Sequence, residues 1–230
     1  MRPDRALAGR HFEAMGTTCS VFAVDQPEAR LVAAESWVHS LAARLTRFTA
    51  DSELTQLNAA AGRWVNVSED LESVLRAALD AYAMSSGLVN AAILPSMLAI
   101  GYRQPLALGG GKPHLEEMPA VRALPGVLQI RERRAKVALG CGIDLGGIAK
   151  GWMADRLCRA LGPNALVNLG GDLRAVGSGP NGQGWPVSVA GACFGLRDQG
   201  AATSSTRRRQ WGGVHHLIDP RTGQIGRAHV

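Results

Sequence analysis

The spacing of apolar residues separates the helices of this chain from its strands. Over residues 27–48, apolar side chains return every three or four positions, which predicts a helix. Asp51 or Ser52, and later Ser68, belong to the residue types that cap helix N-termini, and each stands before another run of helical spacing. The run after Ser68 is predicted to reach about residue 84, and a further helix is predicted over 148–161.

Short alternating or continuous apolar runs predict the strands. They cover 11–24, 64–67, 127–130, 136–139, 142–145, 165–169, 173–176, 186–189 and 214–218. Residues 103–119 are rich in Gly and Pro, which predicts a loop. Helices and strands are interleaved without the regular spacing of βαβ units. This order favours an α+β fold over a doubly wound parallel sheet.

The composition is that of a globular protein with a sizeable core. Of the 230 residues, 46% are apolar and 19% are charged, and the net charge is +6. A basic surface attracts anions such as nucleotides, but a surplus of this size is also ordinary surface solvation, which we favour. Nucleic-acid binding through Arg207–Arg209 ranks last among the possible functions, because the chain offers no interleaved aromatic residues for stacking on bases.

Neither a leader nor a metal-binding cysteine motif is visible. Residues 1–10 are charged, are predicted to be a disordered tail, and lack the apolar segment of a signal peptide or a lipobox cysteine. No apolar run is long enough to cross a bilayer, so the chain as written is expected to be cytoplasmic. The four cysteines form no CxxC pair and are expected to be buried, reduced thiols.

A Gly-Gly pair before the predicted helix over 148–161 is the first candidate for chemistry. Gly146 and Gly147 allow backbone N–H groups to approach a phosphate at a helix N-terminus, and Lys150 adds a positive charge in the first turn. Asp144, before the pair, can accept a hydrogen bond from a base or a sugar. The motif is neither a Walker A loop nor GxGxxG. Taken alone, the motif is better explained as a tight turn with a surface lysine.

Two adjacent histidines precede the second candidate, an Asp-Pro-Arg-Thr-Gly turn over 219–223. On a strand over 214–218, alternation places His216 and Ile218 on one face and His215 on the other. A histidine beside a turn is a possible general base, although a structural histidine is commoner. Adjacent positions on a strand are poor joint ligands, so no His–His metal site is predicted.

Taken in order along the chain, the motifs resemble one known family. The series MGTT, DSEL…N, SGLVNAAILP, DLGGIAKGWMAD, VNLGGDLRAVG, ATSS and HHLIDPRTG is similar to that of the FAD:protein FMN transferase (ApbE) family. The resemblance runs from about Phe12 to Gly223, and DLGGIAKG and HHLIDPRTG are its most specific parts.

The resemblance implies a two-lobed α+β domain over residues 11–224, with a flavin-binding groove between the lobes. Such enzymes cleave FAD, release AMP and attach FMN to a threonine of a client protein, with Mg²⁺ as the metal. The client target is of the Asp-x-x-Ser/Thr-Gly-Ala-Ser/Thr type. His216 matches the catalytic histidine, and the Gly147 carbonyl matches a backbone ligand of the metal. The family's FAD contacts fall on Met15, Phe48, Leu88, Val89, Asn90, Asp144, Lys150 and Ile218.

The sequence departs from the family pattern, and its Asn90 and its missing metal ligands keep a second function open. Phe48 stands where Tyr is common, and Asn90 stands where Asp is usual. Family members also continue past the Asp-Pro-Arg-Thr-Gly turn to an Asp-x-x-x-Thr segment that supplies side-chain metal ligands. The alternative is therefore a catalytically silent FAD- or nucleotide-binding protein of the same fold.

The last six residues, 225–230, are predicted to be a non-native tail. Their sequence IGRAHV can be encoded by a widely used sequencing-library adapter. The domain is therefore expected to be incomplete at its C-terminus, and the chain is expected to bind Mg²⁺ poorly and turn over little.

Overall fold

A computed structural model describes residues 6–116, 118–189, 191–205 and 209–225. Its helices and antiparallel sheets confirm the α+β prediction. The helices are α1 Glu28–Leu45, α2 Glu53–Ala59, α3 Glu69–Met84, α4 Leu94–Ala99, α5 Leu124–Val127 and α6 Ala149–Leu161. The strands are β1 Leu7–Ala14, β2 Thr17–Val24, β3 Val65–Asn66, β4 Leu128–Arg131, β5 Arg134–Val137, β6 Ala165–Leu169, β7 Asp172–Val176, β8 Trp185–Val189, β9 Ala192–Leu196, β10 Gly200–Ala202, β11 Gln210–Trp211 and β12 Val214–His215.

The chain divides into two compact units. The first comprises Met1–Ala42 and Lys150–Ser204, and the second comprises Ala43–Ala149 and Ser205–Val230. Within the parts of the chain described, no helix has both the length and the apolar composition that a membrane crossing needs.

A five-stranded antiparallel sheet forms the centre of the first unit. Its strand order is β1-β2-β6-β7-β10. The predicted apolar stripe of α1 is buried, because Leu31, Val38 and Leu41 are all fully inaccessible to solvent. The ring of Trp185 packs with Leu166 and Leu173 in a separate small core, and its indole N–H donates to the Val176 carbonyl at 3.0 Å.

The second unit combines short helices with a three-stranded sheet of order β3-β5-β4. Both predicted caps are confirmed. Ser52 accepts a hydrogen bond from the Thr55 N–H at 3.1 Å, and Ser68 accepts one from the Leu71 N–H at 3.2 Å. A second core forms around Met97, Ile100 and Tyr102. The partly buried side chains packed against it are Phe48, Ile93, Leu106, Met118, Trp211, Ile218 and Ile225.

One long strand predicted near the N-terminus is two. β1 and β2 form a hairpin with Ala14 paired to Thr17, and the two residues between them have positive φ, 53° at Met15 and 68° at Gly16. This is the backbone of a tight two-residue turn that follows the twist of the strands. Because the alternation of apolar residues continues through the turn, the sequence pattern hides it. Leu7–Arg10, predicted to be part of the disordered tail, form the first half of β1.

Other differences concern element ends. Residues 142–145 are not a strand, and the loop predicted over 103–119 contains a single 3₁₀ turn, Leu106–Leu108. The strand predicted over 214–218 ends at His215. Ile218 instead forms an isolated antiparallel bridge with Ile225, the first residue of the predicted non-native tail. The rest of that tail, 226–230, lies outside the described residues, as do Arg207 and Arg208 of the basic run.

Candidate functional site

In the first unit, motifs far apart in sequence lie side by side. Thr17 at the start of β2 lies against Gly170, where an added Cβ would come within 2.4 Å of it. The next residue, Gly171, accepts a hydrogen bond from the Thr203 N–H at 3.0 Å, and an added Cβ there would come within 2.3 Å of the Thr203 hydroxyl. Both glycines also have positive φ. Larger residues are therefore excluded both by the lack of space for a Cβ and by the backbone conformation.

Lys150 lies at this cluster and forms an ion pair with one of its carboxylates. Its ammonium group forms an ion pair with Asp172, the acidic residue of the Gly-Gly-Asp turn, and its side chain is 16% exposed. The lysine predicted to bind phosphate is therefore already partnered by a negative charge. A phosphate must compete with Asp172 for the ammonium or share it.

Burial raises the pKa of the Cys19 thiol in β2 to about 11, and the hydrogen bond to the Ala14 carbonyl and the nearby Lys150 charge offset this only in part. Burial likewise raises the pKa of Cys158 in α6 to about 12. The other two thiols differ, since Cys193 is exposed and Cys141 is partly exposed. The expectation of buried thiols is therefore confirmed for Cys19 and Cys158, and it is wrong for Cys193 and for the partly exposed Cys141.

In the second unit, the loop after α1 carries two residues of the site. Ser52 is 3% exposed and its hydroxyl donates to the Thr46 carbonyl at 2.5 Å, which ties the end of α1 to the start of α2. This tie holds Arg47 and Phe48 between the two helices. The Phe48 ring lies 5.6 Å from the Tyr102 ring, so it forms part of the second unit's core.

Arg47 reaches the Gly-Gly turn through Asp144. The Arg47 Nε donates to Asp144 Oδ2 at 2.5 Å, and the side chains are 6% and 9% exposed. The other oxygen, Asp144 Oδ1, accepts from the Gly146 N–H at 2.7 Å. The carboxylate predicted to contact FAD therefore also organises the turn before α6. Beside Gly147 an added Cβ would meet nothing within 4 Å, so this position faces open space.

Two asparagines hold the neighbouring backbone. Asn58 of α2 donates to the Ile143 carbonyl at 2.9 Å and accepts from the Ile143 N–H at 2.8 Å, directly before Asp144. Asn90 accepts from the Ala92 N–H at 2.9 Å and donates to the Arg122 carbonyl at 3.0 Å.

Asn90 is 8% exposed and both ends of its amide are in use. The donor to Arg122 is a role that the family's usual Asp cannot fill when ionised. The backbone continues from this position to Ala91, whose carbonyl accepts from the Asp144 N–H at 2.8 Å. Asn90 therefore lies close to the Asp144 turn, and its side-chain amide is used in hydrogen bonds within the protein.

Leu88 and Val89 stand out because they are apolar and exposed. They follow α3 and are 57% and 39% exposed. The Ser85 hydroxyl accepts from the Val89 N–H at 2.8 Å, so the loop that carries them is tied to the end of the helix. Two exposed apolar side chains of this kind suit contact with a flat apolar ring of a ligand.

The two histidines do not alternate on one strand. His215 is paired with Gln210 in β11, and its ring Nδ1 accepts from the Leu217 N–H at 3.3 Å. His216 lies after the strand end and is half-buried, so the argument from alternation does not apply to it. Ile218, by contrast, packs against the core that also holds Phe48.

The turn that follows the histidines is held by an ion pair. Arg221 donates to both carboxylate oxygens of Asp219, at 3.0 and 2.7 Å, and this lowers the pKa of Asp219 to about 2. Asp219 is therefore ionised at neutral pH.

Within the described residues, no group of three or more His, Cys, Asp or Glu side chains could hold a metal ion. The Gly147 carbonyl is a single oxygen, and Asp144 is already bonded to Arg47 and to the Gly146 N–H. These residues do not make a metal site by themselves.

The sequence reasoning missed Arg47, Asp172 as the partner of Lys150, and Tyr102 beside Phe48. Arg47 directly precedes Phe48 in the sequence, but nothing local marks it, since its partner lies 97 residues away. Asn58 belongs to the DSEL…N motif, but its partner, Ile143, lies 85 residues away.

Comparison with known proteins finds relatives of this chain. The chain is 32% identical over 201 residues to the FAD:protein FMN transferase of Klebsiella pneumoniae, an alignment that takes in 78% of this chain and 61% of that protein. It therefore spans less than two thirds of that relative.

Solved structures share the fold. The ApbE protein of Thermotoga maritima superposes with a TM-score of 0.84 at 24% identity, over 96% of this chain and 79% of that one. The flavinyl transferase ApbE of Pseudomonas stutzeri gives 0.78 at 23% identity, over 98% and 77%. A sequence profile described as the ApbE family matches residues 15–229. Since this match covers most of the chain, the protein belongs to the ApbE family.

Proposed function

We propose that this chain binds FAD and transfers its FMN part to a threonine hydroxyl of a client protein, with release of AMP. Two observations carry the proposal together. One is the Gly146–Gly147 turn before α6, and the other is that the chain belongs to the ApbE family. Asp144 anchors this turn at Gly146, Gly147 faces open space, and a helix of 13 residues follows. A helix N-terminus of this kind favours a phosphate group.

The reaction is a displacement at phosphorus. The client hydroxyl oxygen attacks the phosphorus of the FMN half of FAD, and the bond from that phosphorus to the bridging oxygen breaks. AMP leaves with the bridging oxygen, and the hydroxyl proton passes to a base. The products are a phosphodiester between FMN and the client threonine, and AMP.

Each site residue has a distinct role in this proposal. His216 accepts the proton of the client hydroxyl. Lys150, shared with Asp172, offsets charge on the phosphates. The apolar contacts to the flavin and the rest of the nucleotide come from Met15, Phe48, Leu88, Val89 and Ile218, and the polar contacts come from Asn90, by its backbone, and Asp144.

Dependence on Mg²⁺ is part of the proposal through Gly147. Mg²⁺ is commonly held by a few protein oxygens together with substrate phosphates and water. The Gly147 carbonyl would supply one ligand. No step of the displacement described above depends on the metal.

The test is a transfer assay with this chain, FAD, MgCl₂ and a client peptide of the Asp-x-x-Thr-Gly-Ala-Thr type. We expect flavin fluorescence that stays with the peptide after denaturation, together with AMP in equal amount. A peptide with Ala at the acceptor threonine is the matched control and should remain unlabelled. Labelling that survives this change would contradict the assignment of the acceptor.

A second candidate function is a silent FAD-binding protein. It is favoured by Asn90, which stands where an Asp is usual in the family and uses both ends of its amide in structural hydrogen bonds. Binding of FAD without AMP release, with or without Mg²⁺, would support this function and exclude transfer.

A further inference from the structure

Arg47 is an unusually buried arginine that has no place in the roles assigned so far. It lies between α1 and α2, and its side chain is 6% exposed. Its guanidinium lies over two aromatic rings, 4.4 Å from the centre of Phe48 and 4.7 Å from that of Tyr102. Planar stacking of this kind is available to arginine and not to lysine.

The contacts of Arg47 lead to the proposed phosphate turn in two steps. Its Nε donates to Asp144 Oδ2, and Asp144 Oδ1 accepts from the Gly146 N–H at 2.7 Å. The carboxylate thus has one oxygen on the arginine and one on the turn. Because the guanidinium lies against both rings, its orientation is restricted, and it holds the carboxylate that accepts from the amide of Gly146.

Stability alone does not account for this arrangement. The Arg47 Nη2 is buried and has no hydrogen-bond acceptor among the described residues. A buried donor left unsatisfied costs about 1–3 kcal/mol. A buried ion pair is also often no more stabilising than apolar residues of the same volume. A costly buried pair next to a candidate binding turn indicates a role in positioning.

We propose that Arg47 is a positioning residue for the phosphates of FAD, acting through Asp144 on the Gly146–Gly147 turn. The inference rests on the proposed function, since it assumes that FAD is the ligand of this turn. Arg47 does not itself touch the phosphates. It holds Asp144, and with it the Gly146 amide, in the orientation that FAD meets.

The test is a double-mutant cycle read by FAD affinity, measured as quenching of FAD fluorescence with no client present. Its variants are Arg47→Met, Asp144→Asn and the pair together. Asn at 144 keeps an acceptor for the Gly146 N–H but removes the charge. If Arg47 acts through Asp144, Arg47→Met should lower FAD affinity by about tenfold or more, and the double variant should bind FAD no more weakly than Asp144→Asn, since coupled residues are not additive.

Far-UV circular dichroism and thermal melting, both without FAD, check that each variant is folded. Arg47→Met leaves the Asp144 charge buried and unpaired, which is strongly destabilising, whereas the double variant removes that charge. Should Arg47→Met fail to fold, the double variant and Asp144→Asn still decide the question, because the proposal requires the double variant to bind FAD no more weakly than Asp144→Asn. Arg47→Lys keeps the charge but not the planar stack, and is expected to bind FAD with intermediate affinity.

Arg44, in the last turn of α1, provides the matched control. It forms an ion pair with Asp70 at 2.6 Å, away from the turn, so Arg44→Met should lower the melting temperature and leave FAD affinity unchanged. Equal affinity of Arg47→Met and the parent chain would overturn the proposal. The proposal would also be overturned if the double variant bound FAD at least threefold more weakly than Asp144→Asn. If the parent chain itself does not bind FAD, the proposed function fails, and the positioning role fails with it.

Discussion

The side chain of Asn58 offers a direct test of how the site backbone is held. Its amide makes two hydrogen bonds to one residue, to the carbonyl of Ile143 at 2.9 Å and from its N–H at 2.8 Å. Ile143 is fully buried and directly precedes Asp144. Asn58→Ala removes both bonds and leaves a backbone donor and a backbone acceptor without their partner.

The expected cost follows from these two groups. A buried group left without its hydrogen bond costs about 1–3 kcal/mol, and relaxation of the chain recovers part of it. We therefore expect Asn58→Ala to lower the free energy of unfolding by about 2–4 kcal/mol. For a chain of this size, that corresponds to a fall in melting temperature of about 5–15 °C.

Thermal and urea unfolding, followed by circular dichroism, measure the effect. Asn58→Asp keeps the acceptor for the Ile143 N–H but loses the donor to its carbonyl, so its cost should lie between those of the parent chain and the alanine variant. Asn66→Ala is the matched control because Asn66 is exposed in β3, and its effect should stay within about 0.5 kcal/mol.

The same variant tests the connection from fold to site. If Ile143 holds Asp144 in place, Asn58→Ala should also weaken FAD binding below its melting temperature. A melting temperature within about 1 °C of the parent chain would show that the two hydrogen bonds carry no net stability, and would refute the reasoning.

Four further predictions concern other side chains of the protein. Lys150→Ala should weaken FAD binding by about 1–3 kcal/mol, at the lower end because the ammonium is already paired in the free protein, and unchanged affinity in a titration would contradict its role. His216→Ala should lower the rate of FMN transfer more than FAD affinity, while His215→Ala should affect both little, and the reverse order of effects would show that the histidines are wrongly assigned. Asn90→Asp restores the family's usual residue, yet it should lower the melting temperature, because the donor to the Arg122 carbonyl is lost; a stabilised variant would contradict the assigned hydrogen bond. At pH 8, a maleimide should label Cys193 in the native chain, whereas the two buried thiols, whose pKa values burial raises to about 11 and about 12, should react only after unfolding, as mass spectrometry of peptides would show.

Local features of this fold follow directly from the sequence. The burial of α1 on one stripe and the N-caps at Ser52 and Ser68 depend on residues three or four positions apart, so they are visible in any short window. The hairpin of β4 and β5 is predicted for the same reason, since its strands are adjacent in the chain. The order of the motifs is also a property of the sequence, and it led to the family that the profile match confirms.

Tertiary structure alone decided how the site residues are used. Arg47 meets Asp144 across 97 positions and Asn58 meets Ile143 across 85, and no local pattern encodes such pairs. The ion pair of Lys150 depends likewise on where β7 begins.

The turn at Met15 and the end of β12 at His215 were missed for a different reason. Apolar alternation records which residues are buried, and it continues unchanged through a tight turn or past the end of a strand. The sequence thus predicts a set of site residues, while the packing of distant segments determined which of them hold the backbone in place and which are exposed.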